Sequence, residues 1–420
     1  MTHKNMLQSW NFPKSLSRRG FMQGASALAI AHSPISSASS LEGNTSRRRV
    51  FAYVGTDTSA IDGAANGKGM YLFEMDPSTG ELSFIKLAAE TNSPSCLSLH
   101  PSEPYLYAVH EVADYEGKSG AVSAYAVNRS NGDLQYLNTV SSQGAGPAHL
   151  SVDASGKYVF VANYAGGSIA VLPILPGGKL GDATFMHQDS GHVGSKKPTS
   201  GPPGSFAFSG HDAPHAHMIR SDPSNRFVLQ TDLGQDRIYM YHLDSDTGKL
   251  TAASSPFISL PTGDGPRHFA FHPNGRWMYS VQEEASTVVF FHFNPETGSL
   301  ASQQTISTLP HGFAGTNFCS EIMVSRDGRF LYAGNRLHNT IAVFSIDENG
   351  KLHHIGEAPT LGDYPCQFNI DPGGNFLYAC NQRSDQITSF RIDRRTGQLT
   401  FTGQYTPVGT PTCIIFMASS

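Results

Sequence analysis

Seven times along this chain, a run of turn residues leads into Gly, one further residue and Leu. The copies read DPSTGEL, NRSNGDL, ILPGGKL, DSDTGKL, NPETGSL, IDENGKL and DRRTGQL, and they end at Leu82, Leu134, Leu180, Leu250, Leu300, Leu352 and Leu399. Each follows a short β-branched or aromatic run, such as Thr287 to Phe291 or Thr340 to Phe344, so each reads as a hairpin turn between strands. The spacings are 46 to 52 residues, with one of 70. That period suits a blade of four antiparallel strands, and seven such blades make a β-propeller.

A second phrase precedes each turn: an apolar strand, a turn of the DP-G or HPNG type, a second strand and a polar residue. Pro266 to Glu283, Cys319 to Arg336 and Pro365 to Gln382 are examples, and others start at Pro94, Pro147 and Ala216. The seventh copy is split. Its first strand is Pro411 to Met417 and its second is Val50 to Thr56. Joining the chain ends in one blade closes the ring and removes two exposed sheet edges. The expected fold is all-β, a seven-bladed propeller whose strands run A to D from channel to rim. The spacing of 70 marks an insertion, Gly181 to Pro214, between the third and fourth blades; a loop of this length is functional or disordered. Two smaller expansions, Asp57 to Gly67 and Val112 to Gly120, follow B strands.

Repeats explain how 420 residues form one domain, expected over residues 50–420. Ahead of it, Ser17-Arg18-Arg19-Gly20-Phe21-Met22 matches the twin-arginine export pattern. An apolar stretch and small residues around Ser36-Ser37-Ala38 follow, so residues 1–38 read as a signal peptide and 39–49 as a linker. The apolar run is too short to span a membrane. The expected partner during export is the twin-arginine translocase, the destination is the periplasm or the medium, and a monomer is expected. Net charge is −5, and about −9 once residues 1–38 are removed, which disfavours nucleic acid as a partner. The five cysteines, Cys96, Cys319, Cys366, Cys380 and Cys413, are odd in number and lack CxxC spacing, so buried free thiols are expected.

Strand A starts at one face of the ring and strand B returns to it, so two layers of side chains crowd one channel mouth. The second A positions are Ser95, Ala148, His217, Arg267, Ser320, Cys366 and Thr412. The B ends are Asp57, Glu111, Tyr164, Leu233, Glu283, Arg336 and Gln382. A purely structural repeat would place small or apolar residues there. Three consecutive blades instead present His217, Arg267 with Glu283, and Arg336, with His215, His268, Asp232 and Glu321 nearby and His192 in the insertion. This set suits acid–base chemistry beside an anion clamp. Each residue also has a structural reading: Glu283 and Arg336 as an ion bridge, His217 as a core histidine, His215 as packing. The histidines His192, His211, His215 and His217 show no zinc spacing, and no cofactor is expected.

Pro214-His215-Ala216-His217, Asp232 to Arg237, Gly265-Pro266-Arg267-His268 and the Glu321 to Arg336 segment together resemble the seven-bladed lactonase family. That family includes propeller-type 6-phosphogluconolactonases and carboxy-muconate lactonising enzymes. The resemblance runs from about Val50 to Met417. It implies a catalytic set of His217, Arg267, Glu283 and Arg336, a small lactone or organic acid as partner, and hydrolysis of a sugar-type lactone. Muconate-type cycloisomerisation on the same residues and a non-catalytic exported binding propeller are the alternatives. Export itself argues against a substrate of cytosolic sugar-phosphate metabolism.

The export reading rests on Arg18 and Arg19 before Phe21. Replacing both with Lys is expected to leave the precursor in the cytoplasm, as followed by cell fractionation. Unchanged export would show that the segment is not a twin-arginine signal.

Overall fold

The computed structural model describes residues 49–59, 65–207 and 210–419. The expected signal segment 1–38, and the expected linker apart from Arg49, lie outside the described residues. The described residues form seven four-stranded antiparallel sheets and one two-stranded bridge. In blade 5, strands A to D are Pro266–Phe271, Trp277–Gln282, Thr287–Phe293 and Leu300–Ser307, and neighbours in sequence are neighbours in the sheet. Blade 1 is the composite: Pro411–Ala418 pairs with Val50–Thr56, followed by Gly69–Met75 and Leu82–Glu90. The closure expected from the split repeat is therefore present.

Burial follows strand position. B strands such as Tyr158–Asn163 and Phe376–Asn381 are buried at every residue, because they have sheet neighbours on both sides and blades against both faces. The outer strands, such as Leu300–Ser307, are largely exposed. The apolar core divides into seven clusters, one for each interface between adjacent blades. Phe160, Val171, Ile219 and Val228, for example, join blades 3 and 4. All five cysteines are free; four are buried and Cys366 is half-buried.

The recurring Gly turn connects strands C and D and also holds one blade to the next. The Tyr53, Tyr107, Tyr279, Tyr332 and Tyr378 hydroxyls donate to the carbonyls of Gly132, Gly178, Gly350, Gly397 and Gly80 at 2.8 to 3.1 Å. In every case the tyrosine is on a B strand and the glycine belongs to the following blade. Gly80 has a φ of +77°, and a Cβ there would meet the Phe376 ring at 2.4 Å. Only Gly permits both the left-handed backbone and the close approach.

Two sequence readings change in detail. The insertion proper begins after Gln188, because Phe185–Gln188 is the outer strand of blade 3, paired with Ser168 to Val171. Four residues of edge strand carry too little apolar alternation to stand out in a Gly- and Pro-rich stretch. The Val112 to Gly120 expansion does not follow the B strand but extends it, as the tip of a long hairpin formed by Tyr105–Tyr115 and Ser119–Val127. Beyond Gln188 the insertion forms a strap. Its Ser195 amide donates to Thr262 Oγ1, its Ser200 hydroxyl donates to Asp264, and Ser205–Phe206 pairs in parallel with Gly315–Thr316 ahead of blade 6.

Deleting residues 411–420 removes the inner strand of blade 1 and strips cover from Val54, Phe73 and Phe376. The truncated protein is expected to aggregate or to lose its cooperative thermal transition, read by calorimetry. A soluble, cooperatively melting truncation would overturn the composite blade.

Candidate active site

The second A positions face the channel mouth for a local reason. In six blades the A–B register slips there. The slips skip Thr412, Ala148, His217, Arg267, Ser320 with Glu321, and Cys366. A bulge takes its residue out of the ladder and re-aims the side chain. The B-end layer is fixed by a matching bond in all seven blades. The amide of the B-end residue donates to the carbonyl two residues before the second A position: Asp57 to Thr410, Glu111 to Ser93, Tyr164 to Gly146, Leu233 to His215, Glu283 to Gly265, Arg336 to Phe318 and Gln382 to Tyr364, at 2.7 to 3.0 Å. Five of those acceptors have positive φ: Ser93, Gly146, Gly265, Tyr364 and Thr410. Tyr364, at 62°, is a bulky residue held in a strained conformation.

The two layers enclose a cavity of about 860 Å³. Twelve of the fourteen sequence-aligned mouth positions line it; Leu233 and Ser320 are buried outside the lining. His217, Arg267, Glu283 and Arg336 all line it, as does His268. Their central feature is the Glu283 carboxylate, held between two guanidiniums. Arg267 Nε lies 3.0 Å from Glu283 Oε2, with its N–H off the line of the contact, and Arg336 Nη2 contacts the same oxygen. Arg267 Nη1 also donates to the Ser320 carbonyl at 2.7 Å. Arg336 donates to the Cys319 carbonyl at 3.0 Å and to the Tyr364 hydroxyl at 3.2 Å. Burial alone would lower the Arg336 pKa, but the Glu283 charge more than offsets it and keeps the guanidinium protonated. The ion bridge expected between Glu283 and Arg336 exists, and it lies in the cavity wall.

His217 lies edge-on to the His268 ring at 5.0 Å and to the Tyr164 ring at 5.4 Å. Burial and the charge of Arg267 push its pKa well below the usual value, so its imidazole is neutral. No hydrogen bond from the described residues reaches His217 Nδ1. His268 is oriented by a carboxylate, with Nδ1 3.0 Å from Glu321 Oε1. Its Nε2 faces Arg267 Nη1 at 3.5 Å. Burial lowers the His268 pKa as well.

The remaining sequence candidates surround this group without lining the cavity. Glu321 is buried behind His268. His215 stacks on Tyr164 at 4.4 Å and bonds the Tyr164 carbonyl and Asp212. Asp232 is buried, and its Oδ1 accepts the amides of His215 and Gln235. Asp189, at the start of the strap, lies beside it; burial and the Asp232 charge push the Asp189 carboxyl up to about 9, so it stays protonated at neutral pH. His192 is exposed on the strap and outside the cavity, because its backbone rather than its ring is anchored: its carbonyl accepts from Gln235 at 3.4 Å. Two neighbours escaped sequence reasoning. His149 meets His268 edge-on at 5.5 Å, one step from the aligned Ala148, and Tyr364 precedes the aligned Cys366 by two.

The family model for the seven-bladed β-propeller lactonases matches residues 51–416. A Bacillus subtilis 6-phosphogluconolactonase is 33% identical over 370 residues, covering 88% of this chain and 99% of the relative. A Formosa agariphila 6-phosphogluconolactonase is 32% identical over 340 residues, covering 79% and 91%. Among solved structures, the Pseudomonas aeruginosa periplasmic gluconolactonase superposes with a TM-score of 0.77 at 28% identity, covering 89% of this chain and all of that one. Taken with seven closed blades and a charged cavity at one mouth, these matches show that the chain belongs to the seven-bladed β-propeller lactonase family.

Proposed function

We propose that this cavity hydrolyses an unphosphorylated sugar lactone, and that the chain does so as an exported monomer. The observation that carries the chemistry is the Glu283 carboxylate braced between Arg267 and Arg336. A water attacks the lactone carbonyl carbon, and the guanidiniums face the oxygen that becomes an oxyanion. One such donor is worth roughly 3 kcal/mol of transition-state stabilisation. Glu283 is committed to both arginines and fixes their planes. His217, neutral and in the cavity lining, takes the proton of the attacking water and returns it to the ring oxygen as the C–O bond breaks. His268, backed by Glu321, holds Arg267, while His215 and Asp232 fix the turn that carries His217.

The charge of the lining supports the choice of substrate. Among the described residues, the lining carries the carboxylates of Asp57, Glu111, Asp114 and Glu283 and the guanidiniums of Arg267 and Arg336. Arg383 lies over the Tyr364 ring at 3.8 Å and outside the lining. A phosphomonoester, with about −1.5 to −2 charge at pH 7, would enter a field of its own sign. The name of the Pseudomonas aeruginosa neighbour, a periplasmic gluconolactonase, agrees with both the substrate and the proposed location.

The test is the rate of acid release from D-glucono-1,5-lactone and from its 6-phosphate, corrected for spontaneous opening. The unphosphorylated lactone is expected to lead by about tenfold or more in kcat/KM. Preference for the phosphate would overturn the substrate reading, and opening of neither would overturn the enzyme reading. Arg267→Ala and Arg336→Ala are expected to lose roughly 10²-fold or more in kcat/KM while remaining folded, whereas Ser95→Ala and Gln382→Ala change little.

The pH dependence follows from His217. A histidine pKa held below its usual value leaves the base form populated as pH falls through about 6.5. The rate should stay level across that point and decline only at lower pH, and His217→Ala should abolish that acid limb. A decline centred on 6.5 or above would reassign the base.

Glu283→Gln leaves two buried guanidiniums without their counter-charge. The change is expected to destabilise the fold by about 3–5 kcal/mol in urea titrations, in addition to slowing hydrolysis. Unchanged stability would show that the brace has no structural part.

A further inference from the structure

A groove of about 570 Å³ opens off the active-site cavity, and Asn92, Val112 and Asp114 line both. We propose that this groove is a subsite for a second sugar ring, so that the enzyme accepts glycosylated aldonolactones, the lactones of disaccharide acids. The proposal rests on the sugar-lactone reading of the neighbouring cavity.

The groove is built by the one B strand that outgrows the repeat. B strands of blades 3 to 7 have six residues, whereas the blade 2 strand, Tyr105–Tyr115, has eleven. Its regular pairing ends at His110 with Ala121, and a register slip carries it on to Tyr115 opposite Ser119. The added hairpin forms a wall beside the mouth, facing the end of the outer strand of blade 1. Nothing in the ring closure requires this extension.

The lining chemistry is that of a neutral polyol site. Tyr136 is 59% exposed, and Tyr125 meets it edge-on at 5.9 Å. An accessible aromatic face is a surface on which the C–H face of a sugar ring can stack. Beneath it runs an oriented chain of hydroxyls. The Asn92 carbonyl accepts from His110 Nδ1 at 2.7 Å, so Nε2 is the acceptor for the Ser123 hydroxyl at 2.6 Å. Ser123 in turn accepts from Thr139 at 2.7 Å, and Thr139 accepts from the Tyr136 hydroxyl at 3.0 Å. The Tyr136 proton is therefore committed inward, which leaves its lone pairs for a ligand hydroxyl. Glu90 and Asp114 add acceptors along the wall, and no Lys or Arg among the described residues lines the groove. Aromatic face, hydroxyl chain and carboxylates without a cation select an uncharged polyhydroxylic group and oppose a phosphate or carboxylate. The dimensions agree: the main cavity alone lies near the upper end of the roughly 300–1,000 Å³ that drug-sized ligands fill, far more than one hexonolactone occupies.

The experiment compares kcat and KM for D-glucono-1,5-lactone with those for cellobiono- and lactobiono-1,5-lactone, using the full-length mature protein and its Tyr136→Ala and Glu90→Gln variants. Wild type is expected to open at least one disaccharide lactone with a kcat/KM equal to or above that for gluconolactone. Tyr136→Ala should lower that value by about tenfold, chiefly through KM, while gluconolactone kinetics stay within about twofold. Glu90→Gln should act in the same direction. Opening of gluconolactone with neither disaccharide lactone accepted would overturn the subsite and leave the hydrolase reading intact. So would a Tyr136→Ala loss shared equally by small and large lactones. Opening of no lactone at all would overturn both.

Discussion

Five of the seven joins between blades share one interaction: a tyrosine hydroxyl on a B strand donating to the glycine carbonyl of the next blade's C–D turn. A blade buries both sheet faces against neighbours, so no blade is stable alone, and the join between blades is the unit on which the fold depends. The bond also fixes rotation. A blade that turned about its own strands would pull its Gly off the preceding tyrosine and open an apolar interface, such as that of Phe376 and Tyr378 against blade 1. These contacts lie at the C–D turns, the end opposite the cavity, and bear on the tilt of the blades they join. At the join of blades 5 and 6, the Tyr279 bond thereby helps to fix Arg267 and Glu283 relative to Arg336 without occupying any mouth position.

At the mouth the repeat is reused for a different purpose. The bulge at the second A position and the amide bond at the B end recur around the ring whatever the residue, from Ala148 to Arg267. The backbone thus presents two layers of side chains at fixed points, and substitution alone decides their chemistry. Blades 4 to 6 use those points for His217, Arg267, Glu283 and Arg336, while the opposite side carries Ser95, Thr412 and Gln382 together with the carboxylates of Asp57 and Glu111. The strap fastens to blades 4 and 5 and pairs ahead of blade 6, the same arc that carries the charged group.

Much of this was legible in the chain because the information is local or periodic. A Gly at positive φ seven times over announces its turn, and alignment of the turns brings forward the positions where charge interrupts the pattern. The split blade could be read because an unfinished repeat at one end matched a spare strand at the other. What escaped depends on several segments meeting. His149 sits one residue from the aligned layer, and only the bulge turns its ring toward His268. The strained backbone of Tyr364 has no sequence signature, since its neighbours in the repeat are Gly146 and Gly265 but also His215 and Phe318. His192 was grouped with the site by residue type, yet its place depends on where the strap is tied. Sequence placed Glu283 beside Arg336; it could not show that Arg267 shares the same oxygen.

That shared oxygen indicates what the brace is for. Burying three charged groups is costly, and well-packed apolar residues of similar volume generally stabilise a core at least as well as an ion triad. Hydrophobic cores lie directly beneath, with Cys319, Ile322 and Val281 in the interface of blades 5 and 6, so the fold could have continued them to the surface. A triad that is retained where an apolar plug would serve stability equally well points to a requirement at the mouth itself. One negative charge between two guanidiniums leaves a net positive charge, oriented by bonds to the Ser320 and Cys319 carbonyls and to the Tyr364 hydroxyl. Fixed positive charge of this kind needs little reorganisation when an oxyanion forms, which is where electrostatic catalysis draws its advantage. The strained φ of Tyr364 fits the same account: its hydroxyl holds Arg336 in plane, and a relaxed backbone at that residue would withdraw it.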